Sequence, residues 1–452
     1  MNRARLSRNL IQLHFALLVI AALIFGTLNT SRAASVCVNP HNASCASTIG
    51  FAVAVAQPGD KITVAPGTYK EEVVINKPLT LNGTGDHGKS TFIDATGLVH
   101  GIYITGVTSG RVFISQFTVE NAMREGILIE NSSNTTVASN TIQNNDTSLA
   151  FTTPPCSQGT APCCPGAFPF EQQDCGEGVH LLGTTNSTIA NNIVQGNQGG
   201  ILLSDETGAT SNNLITNNLV QNNATDCGIT LPSHPPCGQG SSDVNGCVGG
   251  AQIGTASPGV FANSVIGNTS KGNGGAGTGV FAPTPGTAAY GNLIANNVLQ
   301  NNGEPGVALH SHAPGQNLND NVIVGNIISG NGPEPGEPST IGISLFSDQS
   351  QNAAPFAVTV YQNTITHQDV DVFVGTEPNN ASIFYNNLDG VKLGVLNAGG
   401  GTVNAPFNYW NCPNGPLDPA CSHVSGTVLF PPSLAHPFDP RSLNKKTKPP
   451  VD

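Results

Sequence analysis

Two glutamates stand at matching places in a recurring pattern: Glu125 precedes Gly126-Ile-Leu-Ile, and Glu177 precedes Gly178-Val-His-Leu. If each pattern is one layer of a stack, the two acids lie one strand spacing apart, about 4.8 Å. Carboxyls that close push their pKa values apart, so one stays protonated as an acid while the other serves as base or nucleophile. The spacing is nearer the short separation of retaining glycosidases, about 5–5.5 Å, than the longer inverting one. Arg124, Glu130, Asp174 and His180 fall in the same patch, and Arg124 and His180 are placed to hold a substrate or share its charge. Two solvated turn residues would show the same spacing without chemistry. A second cluster follows. His310 and His312 come after Gly306-Val-Ala-Leu, and Asp348 follows Gly342-Ile-Ser-Leu at the offset of His312, as a carboxylate orienting a base would. An ordinary surface hydrogen bond fits that offset equally. Asp369 and Asp371 form a lone D-x-D, the one hint of Ca²⁺, and no other cofactor is expected.

The layers that would position these groups are written in asparagine. Asn140, Asn192, Asn218, Asn268, Asn297, Asn326, Asn363 and Asn386 each sit between branched apolar residues, as in Val137-Ala-Ser-Asn140-Thr-Ile142. A second column, Asn145, Asn197, Asn223, Asn273, Asn302 and Asn331, follows five residues later. Repetition at a fixed offset marks one unit stacked on itself. Asn suits the task, because it tolerates the left-handed backbone of a tight bend and its amide both donates and accepts. An Asn-rich disordered tract would not hold Ile, Val and Leu at constant offsets. The Gly-apolar-x-apolar element returns at Gly101, Gly126, Gly178, Gly200, Gly306 and Gly342, and more weakly at Gly250, Gly279 and Gly390. Its alternation turns the second and fourth residues inward and the third outward. The shortest intervals, 25 residues from Gly101 to Gly126 and 22 from Gly178 to Gly200, allow one turn of three short strands.

The start of the pattern, Ile49-Gly-Phe-Ala-Val-Ala-Val-Ala, then Pro58-Gly-Asp-Lys-Ile-Thr-Val-Ala-Pro-Gly-Thr-Tyr69 and Leu79-Thr-Leu-Asn-Gly83, resembles the start of the right-handed parallel β-helix repeat family, of pectate-lyase-like architecture. Asn408-Tyr-Trp410-Asn411 with Gly415-Pro416 is similar to that family's usual exit. The resemblance covers residues 45 to 435 and implies an all-β fold, a single-stranded right-handed parallel β-helix with a helical N-terminal cap and Cys-rich loop inserts. It implies no particular reaction, since one fold hosts many functions. The arginine and aspartate motifs of pectate lyases are not present. Neither are the paired aspartates and Gly-His-Gly of polygalacturonases, nor the pectinesterase motifs, so no family catalytic residue carries over.

The flanks read differently. Arg3, Arg5 and Arg8 precede an apolar run from Phe15 to Phe25 and a small-residue cleavage site at Ser31-Arg-Ala33, so residues 1–33 are expected to be a signal peptide. Residues 34–440 would be the β-helix domain and 441–452 a basic, Pro-containing tail. The run is too short for a confident membrane span, so the mature chain is expected to be exported, without a span. The leader holds four arginines and no acid, so its removal takes the net charge from −12 to −16. That balance argues against nucleic acid, and against a polyanionic glycan unless Ca²⁺ or a basic patch intervenes. Cys37 with Cys45 and Cys412 with Cys421 are expected to form disulfides. The other seven cysteines fall in two long inserts, where one must lack a partner within the chain or pair with another chain.

Both inserts, and the Gly/Pro-rich segments at 272–279 and 331–340, leave the stack between the Asn columns and the Gly-Ile strand. They would wall one strand face whose outward residues read Tyr103, Leu128, His180, Leu202, Gln252, Phe281, Ala308 and Ser344. Tyr103, Gln252, Phe281, His310, His312 and Asp348 are thus the candidate substrate-binding residues, and Glu125, Glu177, Arg124 and His180 the candidate catalytic ones. Such a groove suits a polysaccharide or cell-surface glycan. Three functions stay open: a polysaccharide hydrolase or lyase, a non-catalytic carbohydrate-binding or surface-adhesion protein, and a stiff structural spacer. Loop growth tolerated at one corner would explain the inserts without any function, and the oligomeric state is left open.

Overall fold

The computed structural model describes residues 34–145, 177–224, 227–233, 258–282, 285–312, 314–348, 350, 352–375 and 380–439. The leader, the tail, Asp174, Gln252 and every insert cysteine except Cys227 lie outside the described residues.

Short segments rich in β-branched residues pair with their equivalents one coil later, always in parallel. Among the described residues three long sheets result, sheet 1 with 14 strands, from Ser35–Val38 to Val428–Leu429, sheet 2 with 11 and sheet 3 with 12, beside a short sheet of three strands. One coil runs Val112–Ser115 in sheet 1, Thr118–Glu120 in sheet 2 and Ile127–Glu130 in sheet 3. This is the single-stranded parallel β-helix that the sequence resembles. Alternation decides which side chains turn inward. Val137, Ile189, Ile215, Val265, Ile294, Ile323, Val360 and Ile383 stack in register down one inner edge, all fully buried. Burial of each is worth roughly 1.5–3 kcal/mol, and every coil obtains it only from its neighbours.

The asparagines satisfy the polar groups that this stacking buries. In the first column each side-chain amide donates to the next coil's Oδ1 at 2.9–3.1 Å, from Asn140 through Asn386 to a further rung, Asn408. The second column runs from Asn145 to Asn331 and ends on Gln368, whose Oε1 accepts the Asn331 N–H at 2.7 Å. A third, unforeseen column, Asn213, Asn263, Asn292 and Asn321, lines the bend from sheet 3 back to sheet 1. The left-handed conformation does not belong to the ladder residue itself. It falls one residue earlier, on Ser139 (φ 58°), Asn191 (56°), Asn217 (54°) and Asn296 (55°). The bend and the rung are separate tasks, because a ladder side chain must point inward while its predecessor reverses the chain.

The recurrent glycine has a steric cause. A Cβ on Gly126 would lie 2.6 Å from Asn145 Nδ2 and 2.8 Å from the Gly178 carbonyl, so the second column leaves room only for hydrogen there. In one coil Gly277, not Gly279, holds this place, since Thr278 pairs with Val307 and Gly279 with Ala308. Phe281 therefore aligns with His310 rather than with Ala308. The tandem Gly277-Thr-Gly279 disguised the register by two residues.

The helix Ile49–Val55 packs Ile49, Ala52 and Val53 against the first coils. The Glu71 carboxylate accepts the N–H groups of Ile49 and Gly50, while Lys77 Nζ bonds the carbonyls of Val53, Ala54 and Ala56 at the other end. These charges complement the helix dipole. At the exit Trp410 is fully buried against Phe430. Disulfides close Cys37–Cys45 and Cys412–Cys421. Non-reducing peptide mapping is expected to recover both pairs; a link from either to an insert cysteine would contradict the fold described.

Candidate functional site

The outward face of sheet 3 carries two carboxylate–imidazole centres. The first lies where three successive strands begin. Ile102 pairs with Ile127 and Ile127 with Val179, so His100, Glu125 and Glu177, each two positions earlier, form one column across three coils. A separation of 52 positions in sequence does not keep Glu125 and Glu177 apart, because they stand at the start of adjacent, paired strands. Ligand atoms of Glu125, Glu177 and His180 all lie within 4.8 Å of one another. His180 Nδ1 is 3.5 Å from Glu125 Oε1, and His100 Nε2 is 3.2 Å from Glu125 Oε2. The outer nitrogens are held as well: His100 Nδ1 by Glu72 Oε1 at 2.9 Å, His180 Nε2 by Ser204 Oγ at 2.7 Å. Burial alone would raise the Glu125 carboxyl. The His100 and His180 imidazoles outweigh it and hold the group well below the usual carboxylate range. Burial lowers the His100 pKa in turn, and Glu125 with Glu72 reverses this to a net rise. Tyr103 packs its ring on His100 and donates its hydroxyl to Glu130; burial and that bond push its pKa up to about 12. Arg124 is half-buried beside Glu125 in the chain.

Sequence reasoning missed His100, Glu72 and Ser204. A signal existed for His100, which precedes Gly101 as Glu125 precedes Gly126.

The second centre sits farther along the same face. Phe281, His310 and Phe346 align across three adjacent strands, with His310 edge-on to both rings at 5.3 and 5.6 Å. His310 Nε2 bonds Glu334 Oε1 at 2.8 Å. Burial works against both charges, yet the attraction wins: the His310 pKa is raised and that of Glu334 lowered. Glu304 moves the other way. Burial and the Glu334 charge lift its carboxyl above the ordinary range. Burial and the nearby His310 charge press His312 down to about 4, so it is neutral. The expected His312–Asp348 couple is replaced by His310–Glu334, while Asp348 Oδ1 accepts from the backbone and hydroxyl of Ser350. Glu304 and Glu334 lie in connecting loops, where no strand periodicity marks them.

The His310–Glu334 pair sets a pH dependence. The raised histidine contributes fully below its unfolded pKa of 6.5 and loses this as pH rises through its folded value. The lowered glutamate contributes fully above 4.5 and loses this as pH falls through its folded value. The Tm difference between the wild type and His310→Gln/Glu334→Gln is therefore expected to be largest between about pH 4.5 and 6.5 and to shrink above it. A difference that is level from about pH 5 to 9 would show that the pair is not ionic.

Asp369 and Asp371 do not build a calcium site. Asp369 Oδ1 is 2.9 Å from Lys392 Nζ and its Oδ2 accepts the Thr340 N–H. Asp371 is fully buried, and burial raises its pKa well above the usual range, which leaves a neutral carboxyl. A 390 Å³ cavity near the exit, lined by His367, Asp389 and His423 among others, contains none of the expected site residues. Among the described residues no helix is long and apolar enough to cross a membrane.

The model of the right-handed β-helix region family matches residues 86–257. The chain is similar in fold to PfbA, a surface adhesin of Streptococcus pneumoniae, at 13% identity and a TM-score of 0.49, covering 80% of this chain and 82% of that one. It is also similar to the A-module of the mannuronan C-5 epimerase AlgE4 of Azotobacter vinelandii, at 13% identity and TM-score 0.41, covering 86% and 92%. The alginate lyase of Paenibacillus sp. str. FPU-7 shares 15% identity at TM-score 0.34, covering 87% and 99%. No curated protein matches the sequence.

Proposed function

We propose, for a right-handed parallel β-helix with two such centres on one outward face, that sheet 3 binds a polysaccharide outside the cell and cleaves it there. The observation that carries this reading is the second centre, where two carboxyls with opposite pKa shifts lie beside a row of edge-to-face rings. Glu304, whose carboxyl pKa is raised by burial and the Glu334 charge, is the general acid for the glycosidic oxygen. Glu334, held ionised by His310, is the general base for the attacking water. Phe281 and Phe346 offer flat apolar surface to the C–H face of a sugar ring, and the neighbouring imidazoles and carboxyls meet its hydroxyls. With a net charge of −12 and acids at both centres, an uncharged glycan fits better than a uronate polymer, which favours hydrolysis over elimination. Disulfides at both ends of the solenoid agree with export.

Glu125 and Glu177, with Arg124 and His180, are the alternative reacting groups for the same face. The burial of the two acids places this centre second: Glu125 and Glu177 are each 1% exposed, against 8% for Glu334 and a half-buried Glu304. The same burial favours a second reading, binding or adhesion without turnover. The purified chain, incubated with a panel of neutral and uronate polysaccharides, separates these readings. New reducing ends support hydrolysis, and absorbance of unsaturated products supports elimination. Binding without either product supports adhesion, and no binding to any glycan rejects the proposal.

A further inference from the structure

We propose that the first centre is a metal site, in which Glu125, Glu177 and His180 hold one divalent ion of the zinc type while His100 flanks Glu125 from the preceding coil. The inference rests on the geometry of that centre alone and is independent of the polysaccharide reading.

Three observations support it. The first is spacing. Zinc bonds of about 2.0–2.1 Å in tetrahedral geometry put neighbouring donor atoms roughly 3.3–3.4 Å apart. His100 Nε2 to Glu125 Oε2 is 3.2 Å and His180 Nδ1 to Glu125 Oε1 is 3.5 Å, and Glu177 brings its carboxylate within 4.8 Å of Glu125 and His180. The His180–Glu125 distance is one edge of such a polyhedron, and Glu177 supplies the third donor of the group.

The second is what His100 Nε2 and Glu125 Oε2 fail to do. Both are buried and face each other at 3.2 Å as an ion pair, yet without the geometry of a hydrogen bond. A cation on Glu125 supplies the directed partner that its carboxylate lacks.

The third is the support behind each imidazole. Metal-bound histidines characteristically spend the other ring nitrogen on a carboxylate or similar group, which fixes the tautomer and aims the lone pair. Glu72 does this for His100 and Ser204 for His180, each on the nitrogen turned away from Glu125. Each imidazole thus turns its inner nitrogen to Glu125.

The donor set selects the ion. Calcium and magnesium take oxygen ligands, whereas an imidazole with two carboxylates suits zinc and its first-row neighbours. Sequence reasoning placed Glu125, Glu177 and His180 in one patch but read them as catalytic groups rather than as ligands.

The test is direct metal binding by the full chain, stripped with chelator and dialysed, then titrated calorimetrically with ZnCl₂, MnCl₂ or CaCl₂. One equivalent of zinc is expected, with calcium showing no heat. Glu125→Gln and His180→Ala are each expected to weaken zinc at least a hundredfold, while His310→Ala keeps the full equivalent. Ser204→Ala, which removes no ligand, is expected to weaken binding about tenfold. Circular dichroism of each variant separates lost ligands from lost fold, and Co²⁺ loaded into the wild type adds a visible d–d spectrum that needs no variant. No stoichiometric binding to the wild type would overturn the proposal. So would an equivalent that survives in both Glu125→Gln and His180→Ala, which would place the ion on the insert cysteines. Calcium binding in place of zinc overturns the choice of ion and the proposal with it.

Discussion

Glu334→Gln is expected to lower turnover on a cleaved glycan by about 10²–10⁴-fold, the usual contribution of a positioned acid or base. Glycan affinity should change less than about threefold, because the amide keeps the shape and both hydrogen-bonding faces of the side chain. Glu304→Gln should show the same pattern from the other limb of the pH profile, since it removes the acid rather than the base. Parallel measurement of Glu177→Gln decides between the two centres. Full activity in Glu334→Gln with loss in Glu177→Gln would move the chemistry to the first centre. Lost glycan binding in Glu334→Gln would show a role in recognition instead.

Asn218→Ala is expected to cost about 3 kcal/mol, among the larger effects of any single truncation in this fold. Its Oδ1 accepts the backbone N–H of Asn192 at 2.9 Å and the Asn192 amide at 3.0 Å. Its Nδ2 donates to Ile189 O at 2.8 Å and to Asn268 Oδ1 at 3.0 Å. Alanine leaves those buried partners unsatisfied on both sides, in a coil that has no solvent to replace them. The neighbouring Asn217 is the control, because it carries the left-handed bend at φ 54° and not the rung. Asn217→Gly should be within about 0.5 kcal/mol of the wild type and Asn217→Ala about 1–2 kcal/mol worse. Denaturant midpoints for the three variants check the division. Equal losses at 217 and 218 would mean that bend and rung are not separate tasks.

The stack was legible because its physics repeats. An inward Asn, a glycine beneath the second column and branched residues at constant offsets recur in coil after coil, and each copy corrects misreading of the last. Single events were harder. Gly277-Thr-Gly279 offered two candidate registers, and only the pairing with Val307 and Ala308 chose between them. Asn408 belongs to the first column, but its surroundings had already been read as an exit motif. Of the sites, the juxtaposition of Glu125 with Glu177 followed from register alone. Glu304 and Glu334 did not, since loop residues have no period and their meeting with His310 depends on how the loops fold back. His100 was readable and overlooked: the column before each recurrent glycine reads His, Glu, Glu over three coils, and only the acids drew attention.

The ladders also have a direction. From Asn192 onward every side-chain oxygen of the first column faces the coil before it and receives two N–H groups from there, one backbone and one amide, as Asn218 does from Asn192. The two ends of the solenoid therefore make opposite demands. Toward the N-terminus something must donate, and the Phe117 and Ala122 N–H groups do so to Asn140 and Asn145. Toward the C-terminus something must accept, and the carbonyls of Ile383 and Ala405 receive the amide of Asn408. Interior interfaces, by contrast, are all alike. A coil could be duplicated or deleted between two rungs with no new hydrogen-bonding problem, whereas exchanging the terminal coils would set donor against donor. A protein built this way can change in length from its middle, and so move its two centres nearer or farther apart, while both of its ends stay as they are.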